Sequence, residues 1–65
     1  MKIKYFEETD TLYVQLSDSK VAETKELSEN LHGDLDSDGK VVSLTIEHAK
    51  APSGKIDFSY ETIAA

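Results

Sequence analysis

The dipeptide Asp38-Gly39 stands between two runs in which apolar and polar residues alternate, and this arrangement constrains the fold more than any other feature. Asp-Gly favours a type I′ turn, the tight reversal whose twist matches that of paired strands. A two-residue loop at this point pairs Leu35 with Val42, and the apolar side chains of both strands then share one side. A register shifted by one residue would set them against polar side chains. The sequence therefore predicts a β-hairpin here.

Three other segments alternate as strands do, and they are MKIKYF (1–6), TLYVQLSD (11–18) and VAETKEL (21–27). The third has few apolar residues, which is typical of an edge strand, although its helix-forming residues make a helix the competing interpretation. Together with the hairpin, these segments predict an α+β, mostly β fold. We expect a small antiparallel sheet of about five strands joined by hairpins, followed by a short C-terminal helix or tail.

The segment KAPSGK, which contains the one proline of the chain, marks a boundary after the last predicted strand. We expect a β domain over residues 1–50 and a C-terminal linker over residues 51–65. The apolar spacing of the linker fits both a strand and one face of a helix. The linker is therefore expected to form a short helix or a loosely docked tail.

A chain of 65 residues without cysteine has few ways to become stable. A domain of this size buries only about 60% of the surface that its unfolded chain exposes. Disulfides and thiolate metal sites are excluded, which leaves oligomerisation as the usual source of additional stability. We therefore expect a homodimer, because twofold pairs are the commonest closed assemblies.

The net charge is −6, and the seven basic residues are all lysines. An acidic surface repels phosphate backbones and anionic lipids, so direct contact with nucleic acid or a membrane surface is disfavoured. The same charge is compatible with a small basic protein as partner. The first residues lack the apolar core of a secretory signal, and no apolar run reaches the length of a membrane span, so a cytoplasmic location is expected.

The run DLDSDG (34–39) places aspartates at alternate positions before a glycine, as a calcium-binding EF-hand loop does. Such a loop also needs a bidentate glutamate at its twelfth position, which here is Thr45. It needs flanking helices as well, whereas both flanks are predicted strands. The hairpin turn is therefore favoured over a calcium site, and no metal site is predicted.

Catalytic motifs are absent from the sequence. There is no nucleophile elbow, no phosphate-binding glycine loop and no third or fourth partner for a metal at His32 or His48. We predict neither enzymatic activity nor a cofactor. The alternative is a divalent-metal-dependent protein or enzyme that uses the cluster of Asp34, Asp36 and Asp38, with His48 and Glu47 beside it.

Residues 1–50 resemble, in the same order, small bacterial proteins grouped as DUF2283, a family of unknown function. The resemblance is most specific at seven residues: Tyr5, Asp10, Leu12, Tyr13, Asp36, Asp38 and Gly39. Many members carry a glutamate where this chain has Thr45, which weakens any catalytic role for a carboxylate at that position. The family implies no activity, but some of its members lie beside genes for small toxins, which implies an antitoxin role.

The sequence therefore predicts a non-enzymatic protein–protein interaction module, and the resemblance implies an antitoxin-like form of it that neutralises a basic partner. Exposed acids and one aromatic residue are the candidate contacts. They are Glu7, Glu8, Tyr13, Asp34 and Glu47. The other aromatic residues are expected to pack in the core or an interface, with an exposed aromatic binding patch as the alternative.

Overall fold

The computed structural model describes residues 1–50, 53–56 and 58–64. Its five strands are β1 (Lys2–Phe6), β2 (Thr11–Gln15), β3 (Glu23–Ser28), β4 (Leu31–Leu35) and β5 (Val41–Glu47). They form one antiparallel sheet in the order β1-β2-β5-β4-β3. The predicted small antiparallel sheet of about five strands is therefore confirmed.

Strand β3 is an edge strand, as its low hydrophobicity predicted, and all of its residues are exposed. The competing interpretation of this segment as a helix is wrong. Alternating charges such as Glu23 and Lys25 suit this position, because they discourage pairing with a further strand.

The strand register separates the side chains into two faces of different character. The apolar face is formed by Ile3, Tyr5, Leu12, Val14, Leu31, Gly33, Leu44 and Ile46. The polar face is formed by Lys2, Lys4, Phe6, Thr11, Tyr13, Gln15, His32, Asp34, Ser43, Thr45 and Glu47. Gly33 pairs with Leu44 on the apolar face. Because side chains alternate along each strand, this pair determines on which of the two faces every other pair lies.

The turn between β4 and β5 differs from the predicted two-residue type I′ loop. The N–H of Gly39 donates to the carbonyl of Asp36 (3.0 Å), and the N–H of Asp36 donates to the carbonyl of Lys40 (2.9 Å). Type I′ geometry requires positive φ at both central residues, but only Gly39 has it, at 81°. The loop is the three-residue kind, in which a turn is followed by a residue in the left-handed region.

The longer loop shifts the register beside it. Leu35 pairs with Val41 rather than with the expected Val42, while Asp34 still pairs with Ser43. Val42 is thus the extra residue of a β-bulge, and its carbonyl accepts from Leu16 (2.8 Å) on the other side. The bulge absorbs the shift, so the rest of the hairpin keeps the predicted register.

Over residues 53–56 and 58–64 the tail contains no helix, so the prediction of a short C-terminal helix is wrong for these residues. Gly54 has a positive φ of 80°. A helix of so few residues needs tertiary packing to be stable, because nucleation is costly. Phe58, Tyr60 and Ile63 are instead exposed. The described chain also contains no helix that is long and apolar enough to cross a membrane.

The sheet is a single thin layer, with overall extents of 38 × 34 × 18 Å. Among the described residues, Val42 is the only hydrophobic side chain that is buried, at 3% exposure. A typical domain instead packs two layers around a shared core. Within the described residues, no second layer of secondary structure packs on the sheet.

Candidate interaction surfaces

The apolar face extends across four neighbouring strands, β1, β2, β5 and β4. Gly33 lies on this face in β4, next to the edge strand, and a Cβ placed there would be 3.1 Å from Cδ1 of Leu27 and 3.8 Å from Cδ2 of Leu44. The missing side chain lets Leu27 reach in from the edge strand and lie over the backbone of β4. Leu27 therefore extends the apolar face to the β3 edge, although 54% of it remains exposed.

An open groove of about 590 Å³ continues this surface at the opposite edge of the sheet. It is lined by Met1 and Ile3 from the β1 side and by residues 58–60 from the tail. Ile3 is 52% exposed and Phe58 is 49% exposed. Residues 58–60 of the tail therefore border the apolar face at Ile3, which stays half exposed.

Asp34 organises the centre of the polar face. Its Oδ1 accepts from the Thr24 hydroxyl (2.6 Å), and its Oδ2 accepts from the Ser43 hydroxyl (2.5 Å). The hydrogen bond from Ser43 and then that from Thr24 lower the pKa of Asp34, burial acts in the opposite direction, and the nearby His32 adds a smaller lowering effect. Ser43 is fully buried at 0% exposure, and its hydroxyl finds its partner in this carboxylate.

Asp10 fastens the β1–β2 turn to the segment that follows β5. Its carboxylate Oδ1 accepts from the Tyr5 hydroxyl (2.7 Å) and from the N–H of Lys50 (3.0 Å). Its carbonyl accepts from the N–H of Ala49 (3.1 Å), and its φ of 51° lies in the left-handed region. Burial, followed by the hydrogen bond to Asp10 and the nearby negative charges, raises the pKa of Tyr5 to about 12, so the phenol stays a donor at neutral pH.

Three of the predicted contact residues come together at one end of the sheet. Glu7 and Glu8 lie in the β1–β2 turn, Glu47 ends β5, and Glu29 of the β3–β4 turn joins them at the same end. We call these four exposed residues the acidic end. The antiparallel topology produces this grouping, because the end of β5 lies between the two turns.

Tyr13 and Asp34, the other two predicted contacts, lie farther along the polar face. Tyr13 pairs with Thr45, and Asp34 pairs with Ser43. Both are half-buried rather than fully exposed. The carboxylate of Asp34 is already occupied by two hydroxyls, so its local role is to hold three strands together.

The aspartates of the metal hypothesis do not converge. Asp34 binds hydroxyls on the polar face, whereas Oδ1 of Asp36 accepts from the N–H groups of Asp38 (2.9 Å) and Lys40 (3.0 Å) within the turn. Within the part of the chain that the structure describes, no group of three or more His, Asp or Glu side chains is placed to hold a metal ion. In the run DLDSDG, Asp34 and Leu35 end β4, and the residues from Asp36 onward form the turn.

Two features of the site were not predicted from the sequence. The hydrogen bonds that Asp10 accepts were not predicted, and Asp10 was noted only as a residue that resembles the DUF2283 family. Aspartate is, however, one of the residues that adopt the left-handed region most often. The burial of Ser43 gave no signal, because a serine on the polar side of a strand is normally solvated.

Comparison with known proteins gives one match. Residues 2–50 match the family model described as a protein of unknown function, DUF2283. Neither the curated proteins nor the solved structures include a match to the chain. Because the matched region covers three quarters of the 65 residues, the chain belongs to the DUF2283 family.

Proposed function

We propose that this protein is a non-enzymatic, cytoplasmic protein–protein interaction module. The observation that carries the proposal is the uncovered apolar face, in a sheet where Val42 is the one buried hydrophobic side chain among the described residues. Large exposed apolar patches on small proteins mark interaction sites, since water contact with them is unfavourable. The function of the fold is then to present surfaces to other proteins.

The acidic end provides a second contact surface, suited to a small basic protein. Four exposed carboxylates lie there, and the whole chain carries a net charge of −6. Charges of one sign steer an oppositely charged partner and favour its correct orientation. In an antitoxin role, the basic partner is a toxin, which this protein binds and neutralises.

The non-enzymatic part of the proposal is supported by the occupation of the candidate groups. Asp10, Asp34 and Asp36 each accept two hydrogen bonds through their carboxylates, from Tyr5, from Ser43 and other groups of the fold. A general base must reach a proton of the substrate. Carboxylates that hold strands and turns together are poorly available for such chemistry.

The test is capture of a partner from a lysate of the native cell, followed by titration of the purified partner. We expect a small basic protein in stoichiometric amount, released as salt rises because the contacts are screened. The double variant Glu7→Gln/Glu8→Gln should weaken the affinity about tenfold or more. The matched control, Glu23→Gln/Asp38→Asn, removes two exposed acids at the opposite end and should change the affinity less than about twofold.

Two results would contradict this proposal. One is the capture of no protein at low salt. The other is a partner whose affinity is equally sensitive to the variant at the acidic end and to its control, since net charge alone would then explain binding.

A further inference from the structure

We infer that a second copy of the same chain covers the apolar face, so that two sheets pack face to face in a symmetric dimer. This inference rests on the proposal that the apolar face is a protein interface, and it names the occupant of that interface. Three observations support it: the area that the chain exposes, the charge of the face and the position of the tail.

The exposed area exceeds what a folded monomer of this mass should show. The chain of 7.2 kDa exposes 5368 Å². A typical monomer of that mass exposes about 4,100 Å², so the excess is about 1,250 Å². A standard interface buries about 800 Å² on each partner, and obligate dimers bury more. The exposed tail, with Tyr60 and Ile63, contributes part of this excess, and the total is of the size that a stable dimer removes from water.

The charge of the apolar face suits a second copy better than a basic protein. Its eight strand residues, from Ile3 to Ile46, carry no ionised side chain at neutral pH. The acidic end lies beyond the strands, and Asp34 points to the opposite side. Two copies can approach through this face without setting their negative charges against each other, whereas it offers a basic partner no carboxylate.

At the rim of the face, the edge strand adds one charge of each sign. Lys25 pairs with Gly33 and so lies on the apolar side of β3, and Glu23 lies two residues away on the same side. In a twofold arrangement each copy brings both signs to the rim. Such a rim is neutral and therefore compatible with self-association.

The described part of the C-terminal tail does not fill this role. Residues 58–60 line the groove beside Met1 and Ile3, and Tyr60 is 94% exposed and Ile63 79% exposed. The groove beside Ile3 stays open. A second sheet at the usual spacing of about 10 Å would cover the face and border this groove, and it would complete the two layers of a β-sandwich.

The experiment is sedimentation equilibrium of the full chain over a range of micromolar to millimolar concentrations. The wild type should sediment at twice the mass of the 7.2 kDa chain. Ile3→Glu places a charge on the apolar face and should raise the dimer dissociation constant at least about a hundredfold, because the charge would be desolvated in the interface.

The matched control is Phe6→Glu. Phe6 lies in the same strand, is also 52% exposed and faces the opposite side of the sheet, so the same kind of substitution should leave the dimer intact. Leu27→Glu, on the apolar side of β3, provides a second disrupting variant if the first fails to fold.

A measurement on the wild type makes the test independent of all variants. In a mixture of ¹³C-labelled and unlabelled protein, isotope-filtered NOEs should connect methyl groups of Val14, Leu44 and Ile46 across the two copies. A monomeric wild type at 1 mM would overturn the inference, as would a dimer that Phe6→Glu dissociates and Ile3→Glu does not. A monomer whose apolar face binds another protein would overturn this inference alone and leave the proposed function standing.

Discussion

At the scale of single residues, carboxylates hold this sheet together. Asp10, Asp34 and Asp36 each accept two hydrogen bonds through the carboxylate. The donors are hydroxyls of neighbouring strands for Asp34, backbone N–H groups for Asp36, and one of each kind for Asp10. Hydrogen bonds to an ionised acceptor are stronger than those between neutral groups. In a chain with so little buried apolar surface, such contacts contribute a larger share of the stability than they do in a domain with a full core.

The lowered pKa of Asp34 predicts how stability depends on pH. Because its pKa in the folded state lies below that of the unfolded chain, near 3.9, its contribution is fully present above about pH 4. The contribution is lost as the pH falls through the folded-state pKa. Asp34→Asn should therefore be less stable than the wild type at pH 7, and the difference should shrink below pH 4.

Urea unfolding of both proteins at pH 7, 4 and 3 checks this prediction. The control is Asp38→Asn, which removes an exposed carboxylate from the turn. A difference between wild type and Asp34→Asn that does not vary with pH would show that the ionised form of Asp34 is not what the hydroxyls stabilise.

At the scale of elements, the alternation of the sequence was sufficient to predict the strands and most of the β4–β5 register. Moving Leu44 or Ile46 to the polar face would place them among polar side chains and break up the apolar face, so this register has one favourable solution. The turn could not be predicted in the same way, because Asp38-Gly39 fits two loop lengths that both need a left-handed glycine. The structure has the longer loop, in which the Asp36 carboxylate accepts hydrogen bonds from two N–H groups. The bulge at Val42 compensates for the extra residue.

The candidate site could be predicted from the sequence only in part. Hairpin topology places Glu7, Glu8 and Glu47 at one end, and this grouping follows from the strand order. The part played by Ser43 and Thr24 could not be foreseen, since it depends on which hydroxyl reaches Asp34 across three strands. The conformation of the tail was equally unpredictable, because the same apolar spacing serves a helix, a strand or neither.

The turn itself gives a prediction about Asp36. Asp36→Ala removes the acceptor of two backbone N–H groups, and we expect a loss of about 1–2 kcal/mol in the free energy of unfolding. Ser37→Ala, an exposed position in the same turn, should cost less than about 0.5 kcal/mol. Chemical denaturation with calcium and with a chelator measures both. Stabilisation of the wild type by calcium that Asp36→Ala abolishes would contradict the structural role.

At the scale of the whole molecule, the main feature is a sheet with two different faces and one layer. Hydrogen bonds around Asp34 join three strands on the polar face, whereas the apolar face is half-buried at most of its residues and exposed at Ile3 and Leu27. In the proposed dimer, a second copy supplies a second layer and leaves the acidic ends free for other proteins. Folding and association would then be one process, because the two sheets would share one core.

The dependence of stability on protein concentration tests this central claim most directly. The wild-type chain is unfolded by urea at two concentrations a hundredfold apart. If folding requires a second copy, the apparent free energy of unfolding rises by about 2.7 kcal/mol per dimer, and the midpoint moves to higher urea. An unchanged midpoint would contradict the account, because it would show that the single sheet is stable with its apolar face uncovered.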